Sequence, residues 1–318
     1  MIQSYYTTNQ GKIVQDTEFT HGEWIHLSDP TADEIHQVIS QFNFPKDYLD
    51  GVLDPDEVSR YENLEMGENK SSSLVMFLYP IKITSNPNDN EYITRPLAVI
   101  STANTIITAS VDTPIFISNM IENKLNYSID STNQEQFLLD IAWHISSDYI
   151  SYLKEINSKV EILEKNLTTT TKNRQLFSLM ALQKSLVYFS TAIGSNHPIF
   201  KKLKSIERFN KNKSNLSFLH DVVIENQQAE AMIRQSNKML EQISAIFSSV
   251  ISNNLNNIMK VLTSITIVLT IPTIIGALWG MNVSLPLEDT SGAFWIICLI
   301  SLIICAITVW MLRKKDYF

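Results

Sequence analysis

Two segments near the C-terminal end constrain this chain most, because both are too apolar to be left in water. Ala293 to Leu312 is a run of twenty residues without a charge. At ~1.5 Å rise per residue a helix of that length spans about 30 Å, the thickness of a bilayer core, so this segment is expected to cross a membrane. Val261 to Trp279 is nineteen uncharged residues, but it carries the hydroxyls of Thr263, Ser264, Thr266, Thr270 and Thr273 and a proline at 272. Such a helix suits a neighbour of protein or water better than one of lipid.

The flanks set the expected topology. Arg313, Lys314 and Lys315 follow the second segment, whereas the loop between the segments carries Glu288 and Asp289 and no Lys or Arg. The positive-inside rule then puts the C-terminus in the cytoplasm and the loop outside. The opening residues, MIQSYYTTNQGK, contain no apolar stretch of the kind a cleavable signal peptide needs. Two crossings return the chain to its starting side, so both termini are expected to be cytoplasmic in a multi-pass protein of the cell membrane. About 255 residues precede the first segment, enough for one sizeable soluble domain or two small ones.

Charge is uneven along that soluble part. Residues 1–65 hold thirteen Asp or Glu against three Lys or Arg, and residues 172–213 hold nine Lys or Arg against the single Glu207. The acidic half either concentrates cations or simply keeps the domain soluble. The basic stretch interleaves with Leu176, Phe177, Leu179, Met180, Leu182, Leu186 and Val187 at helical spacing, so it reads as an amphipathic helix and not as a nucleic-acid surface. Cys298 and Cys305 both fall in the last apolar segment, seven residues apart and near one helix face. A disulfide between them is geometrically excluded, and no Cys/His cluster points to zinc.

Short β-rich runs at Ser73–Tyr79, Leu97–Ser101 and Thr105–Ala109 alternate with a helical pattern at Ala32–Phe42, which predicts a mixed α/β domain over residues 1–130. Helical segments follow over 131–213, one from about Gln134 to Thr168 and another from about Lys172 to Phe209, with a break expected near Gly194 and Pro198. From Leu216 onward there is no Pro before Pro272 and no Gly before Gly276, and apolar positions recur at steps of three and four. One continuous helix of roughly 100 Å is the economical reading, a stalk over 214–257 running into a first membrane helix over 258–281. A loop over 282–292, a second membrane helix over 293–312 and a basic tail over 313–318 complete the plan. A stalk with that many apolar faces implies a bundle or an oligomer.

The run NNIMKVLTSITIVLTIPTIIGALWGMN from Asn256 to Asn282, followed by a short acidic loop, a second membrane helix and a basic end, resembles the CorA family of divalent-cation channels. The likeness is close over about the last 100 residues and compatible upstream. It implies an α+β membrane protein assembled as a funnel-shaped homopentamer, with the first membrane helix lining a pore for Mg²⁺, and Co²⁺ or Ni²⁺ as substitutes. It also implies that intracellular Mg²⁺, bound between subunits, holds the pore closed.

Such a pore has to suit an ion that sheds water reluctantly, so oxygen acceptors for a hydrated ion serve better than a carboxylate cage. Gly280, Met281 and Asn282 are the expected selectivity residues, with a ring of Asn282 amide oxygens at the centre. Asn256, Met259, Leu262 or Thr263, Thr266, Thr270, Thr273 and Ala277 fall on one helix stripe. By resemblance, Met259 and Leu262 form a constriction that closes by dewetting, Asn256 a polar ring below it, and Thr270 and Thr273 relay oxygens above it. The plain alternative is a packing stripe, since Ser and Thr are common where membrane helices meet. Leu285-Pro286-Leu287-Glu288 departs from the family's usual Met-Pro-Glu-Leu loop, and Thr270 stands where some relatives have a bulky Met.

For the regulatory site, Asp221 and Glu225 lie one helical turn apart, and Asp221 matches a sensor acid of the family by its distance from the motif. Asp89 or Glu91 of a neighbouring subunit is the expected partner. Asp140, His144 and Asp148 share a helical face at four-residue steps, as either a metal site or a solvated acidic stripe. A membrane-anchored enzyme is the reading from another class, but there is no P-loop, GxSxG or GxGxxG. Within the resembling family, zinc transport is the rival.

Overall fold

The computed structural model describes residues 1–17, 22–64, 72–86, 89–167, 173–210, 212–281 and 292–315, with side chains left undescribed at 84–91, 166–167 and 173–174 as well. Its elements are β1 (Ile2–Thr7), β2 (Ile13–Gln15), β3 (Trp24–Ser28), α1 (Ala32–Phe42), α2 (Asp47–Leu53), β4 (Arg60–Glu62), β5 (Ser73–Asn86), β6 (Asp89–Ser101), β7 (Ile106–Ser110), α3 (Ile115–Ile121), α4 (Gln134–Leu167), α5 (Asn173–Ser205), α6 (Glu207–Asn210), α7 (Lys213–Trp279) and α8 (Ala293–Lys314). They form two compact units, Met1–Gln242 and Ile243–Phe318.

The first unit is built on a seven-stranded sheet of order β2-β1-β3-β7-β6-β5-β4, antiparallel throughout except for the parallel pair β3 and β7. Its central strands are apolar on both sides because both faces are covered. Side chains alternate by the two-residue strand period: Ile25, Leu27, Leu74, Met76, Ala98, Ile100, Ile107 and Ala109 meet Ile35, Val38, Tyr48, Leu49 and Val52 of α1 and α2. On the opposite face Trp24 meets Phe137 of α4 at 5.1 Å between ring centroids, and Phe77 stacks on Phe200 of α5 at 5.8 Å. Helix α1 starts at a reciprocal capping box between Thr31 and Glu34 and stops at Asn43, which adopts a left-handed conformation.

Helix α5 runs unbroken through Pro198, where a break was expected. Missing one backbone N–H costs the helix a bond, but apolar burial on both sides of the proline holds it, through Ile193 before and Ile199, Phe200 and Leu203 after. Asn196 fastens the same turn to the sheet: its amide donates to the Leu78 carbonyl at 2.9 Å, and its oxygen accepts from the Leu78 N–H at 3.1 Å and the Ser59 hydroxyl at 2.6 Å.

Among the described residues three helices are long and apolar enough to cross a membrane, namely Gln175–Ser205 within α5, α7 and α8. In α5, 39% of the apolar window is buried inside the protein, against 6% in α7 and 0% in α8. A substantial part of α5 therefore belongs to the core of the first unit, while α7 and α8 have almost nothing of this chain to cover their apolar windows. A chain with such helices needs lipid or further protein around them.

The second unit pairs the C-terminal part of α7 with α8. Ser264 is fully buried, and Val268, Ile271, Ile275 and Trp279 are half-buried, tracing one stripe of α7 at helical spacing. On α8 the half-buried stripe is Ile297, Ser301, Cys305 and Val309, whereas Cys298 is exposed. The two cysteines thus do not share a packing role.

Candidate ion pathway and regulatory residues

The stripe singled out from the sequence lies on the other side of α7. Asn256, Met259, Leu262, Thr263, Thr266, Thr270, Thr273 and Ala277 are all exposed, roughly opposite the residues α8 covers. Packing within this chain therefore gives no reason for the hydroxyls there. Each of three hydroxyls donates its proton back to the helix: Thr266 to the Leu262 carbonyl at 2.9 Å, Thr270 to Thr266 at 2.7 Å, and Thr273 to Leu269 at 2.9 Å. A hydroxyl whose hydrogen is engaged inward presents only lone pairs outward. The outer face of α7 is thus a ladder of oxygen acceptors, suited to the hydrogens of a cation's water shell.

Below the ladder the chemistry changes. Met259 and Leu262 are 52% and 57% exposed, apolar groups on the same open face, with the exposed Asn256 one turn toward the N-terminal end of α7. At the far end α7 stops at Trp279, with the Gly280 N–H bonded to the Gly276 carbonyl at 3.0 Å. A Cβ on Gly280 would stand 3.3 Å from that carbonyl oxygen, so glycine eases the tight exit of the chain. Met281 is 54% exposed. Asn282, the Leu285-Pro286-Leu287-Glu288 stretch and the acidic Glu288 and Asp289 lie outside the described residues.

Of the regulatory candidates, Asp221 is exposed and Glu225 half-buried on α7. The side chains of Asp89 and Glu91 lie outside the described residues, and only their backbone is seen, in β6. Asp221 lines a cavity of about 400 Å³ in the first unit together with Tyr127, Gln136, Asp140, Trp143, Asn215 and Phe218. Asp140 is the neighbour that sequence reasoning missed as a companion of Asp221. It is buried, its Oδ2 accepts no hydrogen bond, and burial pushes its carboxyl up to about 7.

This burial corrects the expectation of a solvated stripe along Asp140, His144 and Asp148. His144 stacks on Phe116 of α3 at 5.5 Å between centroids and its Nε2 meets the Tyr127 hydroxyl at 2.8 Å, so the segment after α3 covers that face. Burial lowers His144 from its usual value and raises Asp148 to about 7. Among the described residues no group of three His, Cys, Asp or Glu side chains is placed to hold a metal ion.

The model of a family described as CorA-like Mg2+ transporter protein matches residues 20–314. The chain belongs to that family. A cobalt/magnesium transport protein CorA from Methanocaldococcus jannaschii is 23% identical over 298 residues, covering 92% of this chain and 90% of the relative. The complete structure of the CorA magnesium transporter from the same organism superposes with a TM-score of 0.79 at 21% identity, covering 100% of this chain and 99% of the other. The full-length CmaX protein gives 0.68 at 14% identity, covering 98% and 97%. The cytoplasmic domain of ZntB from Vibrio parahaemolyticus gives 0.52 at 15%, covering 80% and 98%. The CorA fold, with an α/β soluble domain, a long helix and C-terminal apolar helices, is accordingly the fold of this chain, a membrane protein of a divalent-cation transporter family.

Proposed function

We propose that this chain forms a homopentameric channel for passive Mg²⁺ influx, with Co²⁺ or Ni²⁺ as substitutes and gating by intracellular Mg²⁺. The observation that carries the reading is the oxygen ladder on the α8-free face of α7, whose last hydroxyl, Thr273, stands about two turns before Gly280-Met281-Asn282 in the sequence. Five copies of that face around an axis give rings of hydroxyl oxygens that hydrogen-bond to the ion's waters without stripping them, as Mg²⁺ requires. Asn282 closes the outer end as an amide ring. Leu262 and Met259 form the dewetting constriction, with Asn256 beneath. The chain lies in the cell membrane with both termini cytoplasmic, so an inside-negative potential drives a divalent cation inward without ATP.

Regulation follows from Mg²⁺ binding the closed arrangement more tightly than the open one. Asp221 and Glu225 supply carboxylates from α7, with Asp89 and Glu91 from the neighbouring subunit. Asp140 in the Asp221 cavity adds a buried carboxyl whose unpaired oxygen favours the arrival of a cation. Ion-resolved uptake into proteoliposomes tests the whole reading: Mg²⁺ influx that follows an imposed inside-negative potential supports it. Zn²⁺ uptake without Mg²⁺ uptake replaces it with zinc transport, and the absence of any divalent flux overturns it.

A further inference from the structure

Pro272 has no N–H, so the carbonyl of Val268, four residues earlier on α7, lacks the donor a helix normally supplies. In a bilayer no water reaches such a group, and an unsatisfied carbonyl is costly. Across the helix pair the Cys305 thiol of α8 donates to that same carbonyl, with Sγ 3.6 Å from the Val268 oxygen. Both residues lie in the packed stripe, Cys305 half-buried and Val268 half-buried, while Cys298 on the same helix is exposed. The one bonded thiol of α8 thus meets the one carbonyl that the proline leaves open.

We propose that Cys305 is a positioning residue: its thiol caps the carbonyl freed by Pro272 and pins α8 to α7 at the proline. The segment beyond the proline carries Thr273, Ala277 and Gly280. On the reading that α7 lines the ion path, the pin fixes the direction in which those residues leave the helix. A thiol is a weak donor, so it holds the helices together without locking them. Alanine at 305 keeps the small volume and removes the donor, whereas serine keeps a donor.

Three variants and one spectrum separate the cap from ordinary packing. Cys305→Ala is expected to lower divalent-cation uptake about three-fold, the size of one average interhelical hydrogen bond in a membrane. Cys305→Ser is expected to restore it to near the original rate. In a Pro272→Ala background, where residue 272 regains its N–H and satisfies Val268, Cys305→Ala is expected to add nothing. An equal loss in the alanine and serine variants, or a loss that persists beside Pro272→Ala, overturns the proposal. The infrared S–H stretch needs no transport. In a Cys298→Ala protein the remaining thiol is Cys305, and its band is expected at lower frequency than in Cys298→Ala with Pro272→Ala. Identical bands mean that the thiol caps nothing, whatever ion the protein carries, and a shifted band beside absent uptake faults the channel reading alone.

Discussion

At the scale of single residues, the soluble unit keeps carboxyls where water does not reach them well. Asp148 on α4 is held up to about 7 by burial, against an ordinary 3.8. Its folded value exceeds its unfolded value, so the neutral acid stabilises the fold below about pH 4, and that contribution is lost as pH rises through about 7. Asp148→Asn, which is neutral at every pH, is therefore expected to raise thermal stability at pH 8 by on the order of 1–3 kcal/mol. At pH 4 it should leave stability unchanged. A thermal-unfolding series of the full chain in detergent across that range checks it, and equal stabilisation at both ends contradicts the assignment. The burial of Asp140 and Asp148 was not legible in the sequence. Spacing at four residues fixes a shared face, but the same spacing serves a wet face and a covered one. What decides is Tyr127, from outside α4, whose hydroxyl closes over His144.

At the scale of elements, α7 carries two different faces, and each is set by what it touches. The face against α8 is Ser264, Val268, Ile271 and Ile275, and the face away from it holds Leu262 and the threonines. Replacing Leu262 by Ser is expected to hydrate the constriction and raise leak at high internal Mg²⁺ by tenfold or more on the order of magnitude, since dewetting needs apolar walls. Single-channel or flux recordings that show unchanged or lower leak remove Leu262 from the gate. The hydroxyl stripe could be read from the sequence because a helix repeats every 3.6 residues and hydroxyls among aliphatic residues mark the repeat, whereas the face that meets α8 could not. The strands over Ser73–Tyr79 and Leu97–Ser101 were legible for a similar reason, as short β-rich runs. The continuity of α5 through Pro198 was not, because it rests on Asn196 meeting Leu78 more than a hundred residues away. The contact between Cys305 and Val268 was hidden in the same way: nothing in either helix alone says which residues face each other.

At the scale of the whole molecule, the proposed gating is a question of which arrangement Mg²⁺ prefers. On the proposed reading, removing the Asp221 carboxylate lowers the ion's preference for the closed arrangement and is expected to shift the internal Mg²⁺ midpoint for closure upward by about five-fold or more. Protease protection and current, each measured against internal Mg²⁺ for both proteins, report it. An identical midpoint makes Asp221 a surface charge. The central claim, that the chain conducts Mg²⁺ along the hydroxyl face of α7 through an amide ring at its end, has a more direct test in Asn282. Asn282→Ala removes the amide oxygens proposed to form that ring. Mg²⁺ uptake into proteoliposomes should fall to background while the assembled particle keeps its size by light scattering. Uptake at the original rate from a correctly assembled Asn282→Ala protein would contradict the account.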